Sequence, residues 1–204
     1  MHKLIILILF LSSAGLADEK RLSIAVDTPQ YVQRSEHKSL NYNSRVRFLV
    51  IHYTSSNWQR SLELLTLPEY EVSAHYLIPE SFDETYHELD LAVYQLVDEN
   101  DRAWHAGKSQ WEDRENINDQ SIGIELVNNS ACYYQDDNET LDFTDDYMCS
   151  FRDYDPKQIQ LLIALSKQIL SRHLEITPTR VIGHADVQPW VKSDPGPKFP
   201  WYTL

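Results

Sequence analysis

The chain lacks any apolar run of the ~20 residues needed to span a bilayer, since Leu4 to Leu11 falls far short. No membrane span is therefore expected. Basic residues are scarce: 18 Lys and Arg stand against 31 Asp and Glu, a formal net charge of −13. Phosphate backbones require a basic face and the release of counterions, so nucleic acid is excluded as a partner. Cysteine is limited to Cys132 and Cys149, and there is no His-Glu-x-x-His helix, no internal repeat and no low-complexity segment. What is present, 204 residues of 42% hydrophobic content, suffices for one globular domain with a real core.

The first residues read as an export signal. Lys3 gives a short positive start, Leu4 to Leu11 is the apolar stretch, and Ser12 to Ala17 ends in small residues, with cleavage expected after Ala17. No Cys follows the run to carry a lipid anchor. Export implies an oxidising compartment, so Cys132 and Cys149 are expected to form a disulfide rather than a metal-thiolate site. They bracket an acidic, aromatic insert, Tyr133 to Met148, and closing such a loop is worth about 3 kcal/mol in the chain-entropy model.

From Asp18 to Asn43 the chain is polar, with at most an edge strand at Leu22 to Val26. The stretch Arg47 to Thr54 is rich in β-formers and predicts a central strand covered on both faces, with His52 at its carboxyl end. In open α/β sheets ligands collect at that end, although a lone histidine capping a strand is otherwise more often a hydrogen-bonded structural residue. Trp58, Leu62 and Leu65 predict a short helix stopped by Pro68, and strands are expected over 72–78 and 91–97. Trp104-His105-Ala106-Gly107 reads either as the lining of a sugar groove or as a packed corner. The strand 121–127 puts Ile122, Ile124 and Leu126 on one face and Gly123, Glu125 and Val127 on the other. A buried Glu125 must be paired or ligated, either in a structural ion pair or in a working site.

Asp155, Pro156 and Gln158 read as N-cap, first helical position and N3 of a helix running to about His173. His173 reads as a C-terminal cation or a surface residue. A last strand, 179–183, leads into a loop stiffened by Pro189, Pro195 and Pro197 that carries His184, Lys192 and Asp194. Two imidazoles and a carboxylate from His52, His184 and Asp194 or Glu125 form a donor set suited to a catalytic zinc with one position left for water. Pattern alone stops at a possible metal hydrolase.

The motifs Val50-Ile51-His52-Tyr53-Thr54, Val72 to Ile78, Ala103 to Gly107, Ile122 to Asn128, Gly183 to Asp186 and Lys192 to Pro197 resemble, in order, those of zinc-dependent N-acetylmuramoyl-L-alanine amidases of type 2, which include AmpD, AmiD and the peptidoglycan recognition proteins. The resemblance implies an α/β fold, a single mixed β-sheet flanked by helices. It further implies Zn2+ held by His52, His184 and Asp194, with Glu125 and Lys192 as the catalytic pair and Trp104, His105, Asn128 and His75 as groove residues, structural packing being the simpler role for His75. Recognition-protein amidases usually carry Cys where this chain has Asp194 and Tyr where it has Ala74, so the AmpD and AmiD side is implied. The expected organisation is a signal peptide over 1–17, a leader over 18–44, and an amidase domain over 45–204 with an insert at 129–150. The expected substrate is peptidoglycan or a muropeptide in the periplasm or outside a bacterium, acted on by a monomer. A wall-binding module without catalysis, or a zinc hydrolase of another peptide bond, would share the fold.

Titration of the purified, unreduced protein with a thiol reagent is expected to find no free thiol; two reactive thiols would sink the disulfide.

Overall fold

The computed structural model describes residues 32–134 and 147–204. The proposed signal peptide, the edge strand at 22–26 and the acidic centre of the insert lie outside the described residues. Residues 32–41, in a unit of their own, form no helix or strand. Residues 42–204 hold the rest of the fold.

In chain order, β1 is Phe48–Tyr53, α1 Trp58–Thr66, β2 Tyr76–Ile78, β3 Tyr94–Gln95, β4 Gln110–Trp111, β5 Arg114–Glu115, β6 Ser121–Leu126, β7 Ala131–Tyr134, β8 Tyr147–Ser150, α2 Pro156–Arg172, β9 Val181–Gly183 and α3 His184–Val187. The main sheet has the order β3-β2-β6-β1-β9. β1, β2, β6 and β9 run parallel, and β3 alone is antiparallel, against β2. The expected single mixed sheet flanked by helices is the architecture found.

Every residue of β1 is buried, as an interior strand covered on both faces requires. Side chains alternate between those faces. Leu49 and Ile51 of β1, Ile122, Ile124 and Leu126 of β6, and Tyr76 and Ile78 of β2 pack against Ile159, Leu162, Leu165 and Ile169 of α2. On the reverse face, Phe48, Val50 and Ile182 meet Ala106, Ile117 and Val187 at one end. Trp58 and Leu65 of α1 cover Leu77 and Val127 at the other. Ala74, the position noted as Tyr in recognition proteins, belongs to this second cluster. Between the two clusters the reverse face is polar, and it is there that His52, Glu125, His75 and His105 lie.

Helix α2 begins as expected, with Asp155 accepting from the Lys157 N–H and Pro156 in the first turn. Its Asp155 also accepts from the Ser81 N–H at 2.6 Å, anchoring the helix to the loop after β2. Gln158, read as an N3 residue, does a different task. Its side-chain amide donates to the carbonyls of Ile78 and Val127, both at 2.9 Å, capping the ends of β2 and β6. His173 is the C-cap, and its Nε2 stands 2.7 Å from Glu99, which also pairs with Arg172 and Tyr76.

Several expectations shift. The strand over 72–78 shortens to β2, because Ser73 turns its N–H to the Trp104 carbonyl instead of a ladder, and that over 91–97 shortens to β3. The loop after β9 starts with the helical turn α3, whose Asp186 accepts from the Gly183 N–H. The hairpin β4–β5 had no clear periodic signal. In the insert, β7 pairs antiparallel with β8, setting Cys132 opposite Cys149, and the two are joined by a disulfide. No helix among the described residues is long and apolar enough to cross a membrane.

Leu162 is fully buried between α2 and the sheet, whereas Leu174 is 84% exposed. Leu162→Ala is expected to cost about 2–5 kcal/mol in chemical denaturation and Leu174→Ala less than about 0.5; similar losses would contradict this packing.

Candidate metal centre

Parallel register sets His52 directly across from Glu125 on neighbouring strands. His184 follows at once from β9, which pairs with β1 on its other side. All three residues thus leave the sheet at the carboxyl ends of parallel strands, where such sheets form crevices. Asp194 arrives from the later loop, pinned by the Ala185 N–H donating to its carbonyl at 2.8 Å. The loop sits low over the sheet because Gly183 has no side chain: a Cβ there would stand 2.5 Å from Pro195 Cδ. Tyr154 adds a tether, its hydroxyl donating to the Pro195 carbonyl at 2.7 Å.

The three side chains converge. His52 Nδ1 lies 2.9 Å from Asp194 Oδ2 and 3.0 Å from His184 Nδ1, and His184 Nδ1 lies 3.1 Å from the same carboxylate oxygen. All are buried, and the cluster is suited to a metal ion. Ligand atoms about 2 Å from a tetrahedral zinc stand roughly 3.3 Å from one another, close to this spacing. Two neutral imidazoles and one carboxylate also match the donor set of a catalytic zinc. Burial, helped by the neighbouring His184, lowers His52 to about 4, so it is a neutral ligand at neutral pH. Burial works against the charge of Asp194, but its close contacts with the imidazoles of His184 and His52 outweigh it and hold the carboxyl below its ordinary range.

Glu125 stands beside the cluster, Oε1 4.0 Å from His52 Nδ1. Its Oε2 is buried with no hydrogen-bond partner among the described residues. Burial, reinforced by the charge of Asp194 and opposed by Lys192, raises its pKa to about 8. Glu125, His184, Asp194 and the exposed Lys192 line one cavity of about 430 Å3. Trp104 and His105 line it too, with Tyr53, Val72, Ser193 and Cys132, so the disulfide hairpin forms part of its wall. Sequence reading missed Tyr53 and Ser193, whose hydroxyls bond to each other across the loop; nothing in their spacing marks that pairing.

Two expected groove residues lie elsewhere. Asn128 is fully buried, accepting from the backbone and hydroxyl of Ser130 and donating toward the Asp153 carbonyl. It shapes the entry to the insert. His75 is also buried, with Nδ1 accepting from the Gly123 N–H at 3.0 Å, and so joins β2 to β6. His105 borders the cavity but turns its ring inward, with Nδ1 3.0 Å from His52 Nε2.

The result is a mixed α/β sheet with a candidate mononuclear metal centre at the carboxyl ends of its strands and a carboxyl of raised pKa alongside. The chain belongs to the N-acetylmuramoyl-L-alanine amidase family (Amidase_2), which matches residues 42–197. It is 38% identical over 196 residues to the N-acetylmuramoyl-L-alanine amidase AmiD of Escherichia coli K12, covering 94% of this chain and 62% of AmiD. It is 37% identical over 130 residues to the 1,6-anhydro-N-acetylmuramyl-L-alanine amidase AmpD of Haemophilus influenzae, covering 64% of this chain and 55% of that protein. Among solved structures, AmpDh3 from Pseudomonas aeruginosa in complex with anhydromuramic pentapeptide superposes with a TM-score of 0.74 at 41% identity, covering 86% of this chain and 65% of that one. The chain thus spans less than two thirds of the length of these relatives.

The raised pKa of Glu125 has a consequence for stability. In metal-free protein an unfolded Glu ionises near 4.5 and the folded one near 8. Between these values the unfolded chain releases a proton that the folded chain keeps, so stability falls as pH rises through that window. Glu125→Gln removes this loss. By calorimetry with chelator present, the variant is expected to match the unmodified protein near pH 4.5 and to exceed it in Tm above about pH 8; a difference that does not change with pH would rule out a desolvated carboxyl.

Proposed function

We propose that the chain is a zinc-dependent amidase that hydrolyses the bond between the lactyl carbonyl of N-acetylmuramic acid and the amine of L-alanine in peptidoglycan or muropeptides. The observation that carries this reading is the meeting of His52, His184 and Asp194 beside the unpartnered oxygen of Glu125 in one open cavity, in a chain of this family. His52, His184 and Asp194 would hold the zinc. Bound there, the metal would lower the pKa of water to about 7 and polarise a carbonyl.

The remaining work falls to the protein's own groups. Glu125, close to the cluster and with an Oε2 that has no hydrogen-bond partner among the described residues, takes the proton from the attacking water and passes it to the departing alanine nitrogen. Its raised pKa suits it to hold that proton near neutral pH, and a neighbouring cation would pull that value back down. Lys192, on the rim of the same cavity, sets its ammonium against the negative charge that grows on the carbonyl oxygen. Trp104, about half exposed and stacked under Arg102 at 4.1 Å, offers a flat apolar wall to a sugar or stem peptide. Export through the 1–17 segment would bring the enzyme to its substrate, with cleavage after Ala17 leaving the 18–44 leader ahead of the amidase domain at 45–204.

Mass spectrometry of muropeptides incubated with zinc-loaded protein is expected to find the intact stem peptide released. No product overturns the reading, and release of a smaller peptide from within the stem points to a different peptidase. Glu125→Ala is expected to retain zinc and lose activity by at least about 100-fold, the lower range of general acid–base catalysis; a fully active variant would show that Glu125 is not the base.

A further inference from the structure

Behind His52 runs a chain of buried hydrogen bonds. His52 Nε2 lies 3.0 Å from His105 Nδ1, His105 Nε2 lies 3.2 Å from Ser121 Oγ, and Ser121 Oγ lies 2.7 Å from the Ile117 carbonyl oxygen. The last member sets the polarity of the others. A carbonyl only accepts, so the single hydroxyl proton of Ser121 goes to Ile117, and Oγ turns a lone pair to His105. His105 therefore carries its proton on Nε2 and offers Nδ1 as an acceptor. His52 in turn carries its proton on Nε2, and its Nδ1 lone pair faces His184 and Asp194.

We propose that His105 and Ser121 are positioning residues that preset His52 as a metal ligand, holding its tautomer before any metal arrives. The proposal rests on reading the His52, His184 and Asp194 cluster as a metal site. Without such a chain, the Asp194 carboxylate 2.9 Å away would draw the His52 proton onto Nδ1 and consume the ligating lone pair. Outer partners of this kind both orient a ligand imidazole and select its tautomer.

The packing around His105 supports the same role. Its backbone N–H donates to Asn118 Oδ1 at 3.1 Å. Its ring lies against the backbone of Gly123, where a Cβ would come within 2.4 Å of His105 Cγ. Gly123 thus leaves the space through which β6 admits this ring toward His52 on β1. His184 has no comparable restraint, since its Nε2 is buried without a partner among the described residues. In metal-free protein His184 is the histidine left to hold its proton on Nδ1 and donate to Asp194 at 3.1 Å. The two imidazoles of the cluster are accordingly unequal, one preset and one adaptable.

Long-range proton–nitrogen correlation spectra of the imidazoles in the metal-free full chain, near neutral pH, test this directly. His52 and His105 are expected as Nε2–H tautomers and His184 as Nδ1–H; an Nδ1–H tautomer at His52 or His105 overturns the proposal. Zinc affinity, measured by chelator competition, gives a second readout. His105→Phe keeps the ring but removes the acceptor and is expected to weaken zinc binding 10–100-fold. His105→Asn sets an amide oxygen near the place of Nδ1 and is expected to restore most of that loss. Unchanged affinity in His105→Phe, or no recovery in His105→Asn, also overturns it. If the unmodified chain binds no zinc, the metal reading fails, while the tautomer spectrum still decides whether His52 is preset.

Discussion

Parallel pairing of β1 with β6 is the constraint on which the rest depends. Because side chains alternate along a strand, the register that buries Leu49, Ile51, Ile122 and Ile124 under α2 necessarily turns His52, Gly123 and Glu125 to the reverse face. A slip of one residue in either strand would exchange that strand's two faces, turning His52 or Glu125 under α2 and breaking both core and site at once. Hydrophobic packing on one side thus enforces the placement of the polar groups on the other.

That reverse face tolerates costly groups because each is answered locally. His75 is bonded between β6 and the Asp101 carbonyl, and His105 between His52 and Ser121. Their burial holds both below the ordinary histidine pKa, so they act as neutral donors and acceptors. Among the described residues, Glu125 Oε2 and His184 Nε2 are the exceptions beside the cavity. A polar atom left without a partner is destabilising, and such cost concentrates where a site must keep a group available. The absence of side chains at Gly123 and Gly183 is equally part of the arrangement, since one admits the His105 ring and the other the loop carrying Asp194.

Much of this was legible in the residues. The unbroken apolar run of β1, the alternation of β6 and the amphipathic period of α2 are local signals, and each sits where its pattern placed it. The disulfide could be anticipated from two cysteines behind an export signal. Gln158, Asn128 and His75 were harder, because their partners lie far away in sequence: Gln158 spans two strand ends, and Asn128 organises the turn into the hairpin. The short strands β2 and β3 were overextended because alternation persists in extended backbone that leaves the ladder. No local pattern could separate the two readings of Trp104-His105, since a packed corner and a groove lining coincide there.

The sequence by itself determined the class of fold, the faces of its main elements and the residue types available for chemistry, because these follow from periodicity, composition and motif order. Only the tertiary structure decided that Nδ1 of His52, Nδ1 of His184 and one oxygen of Asp194 come within about 3 Å of each other, and that Glu125 stands next to them with an oxygen to spare. Those facts depend on register between distant strands and on backbone approaches of a few ångströms at two glycines, quantities that no single segment of chain contains.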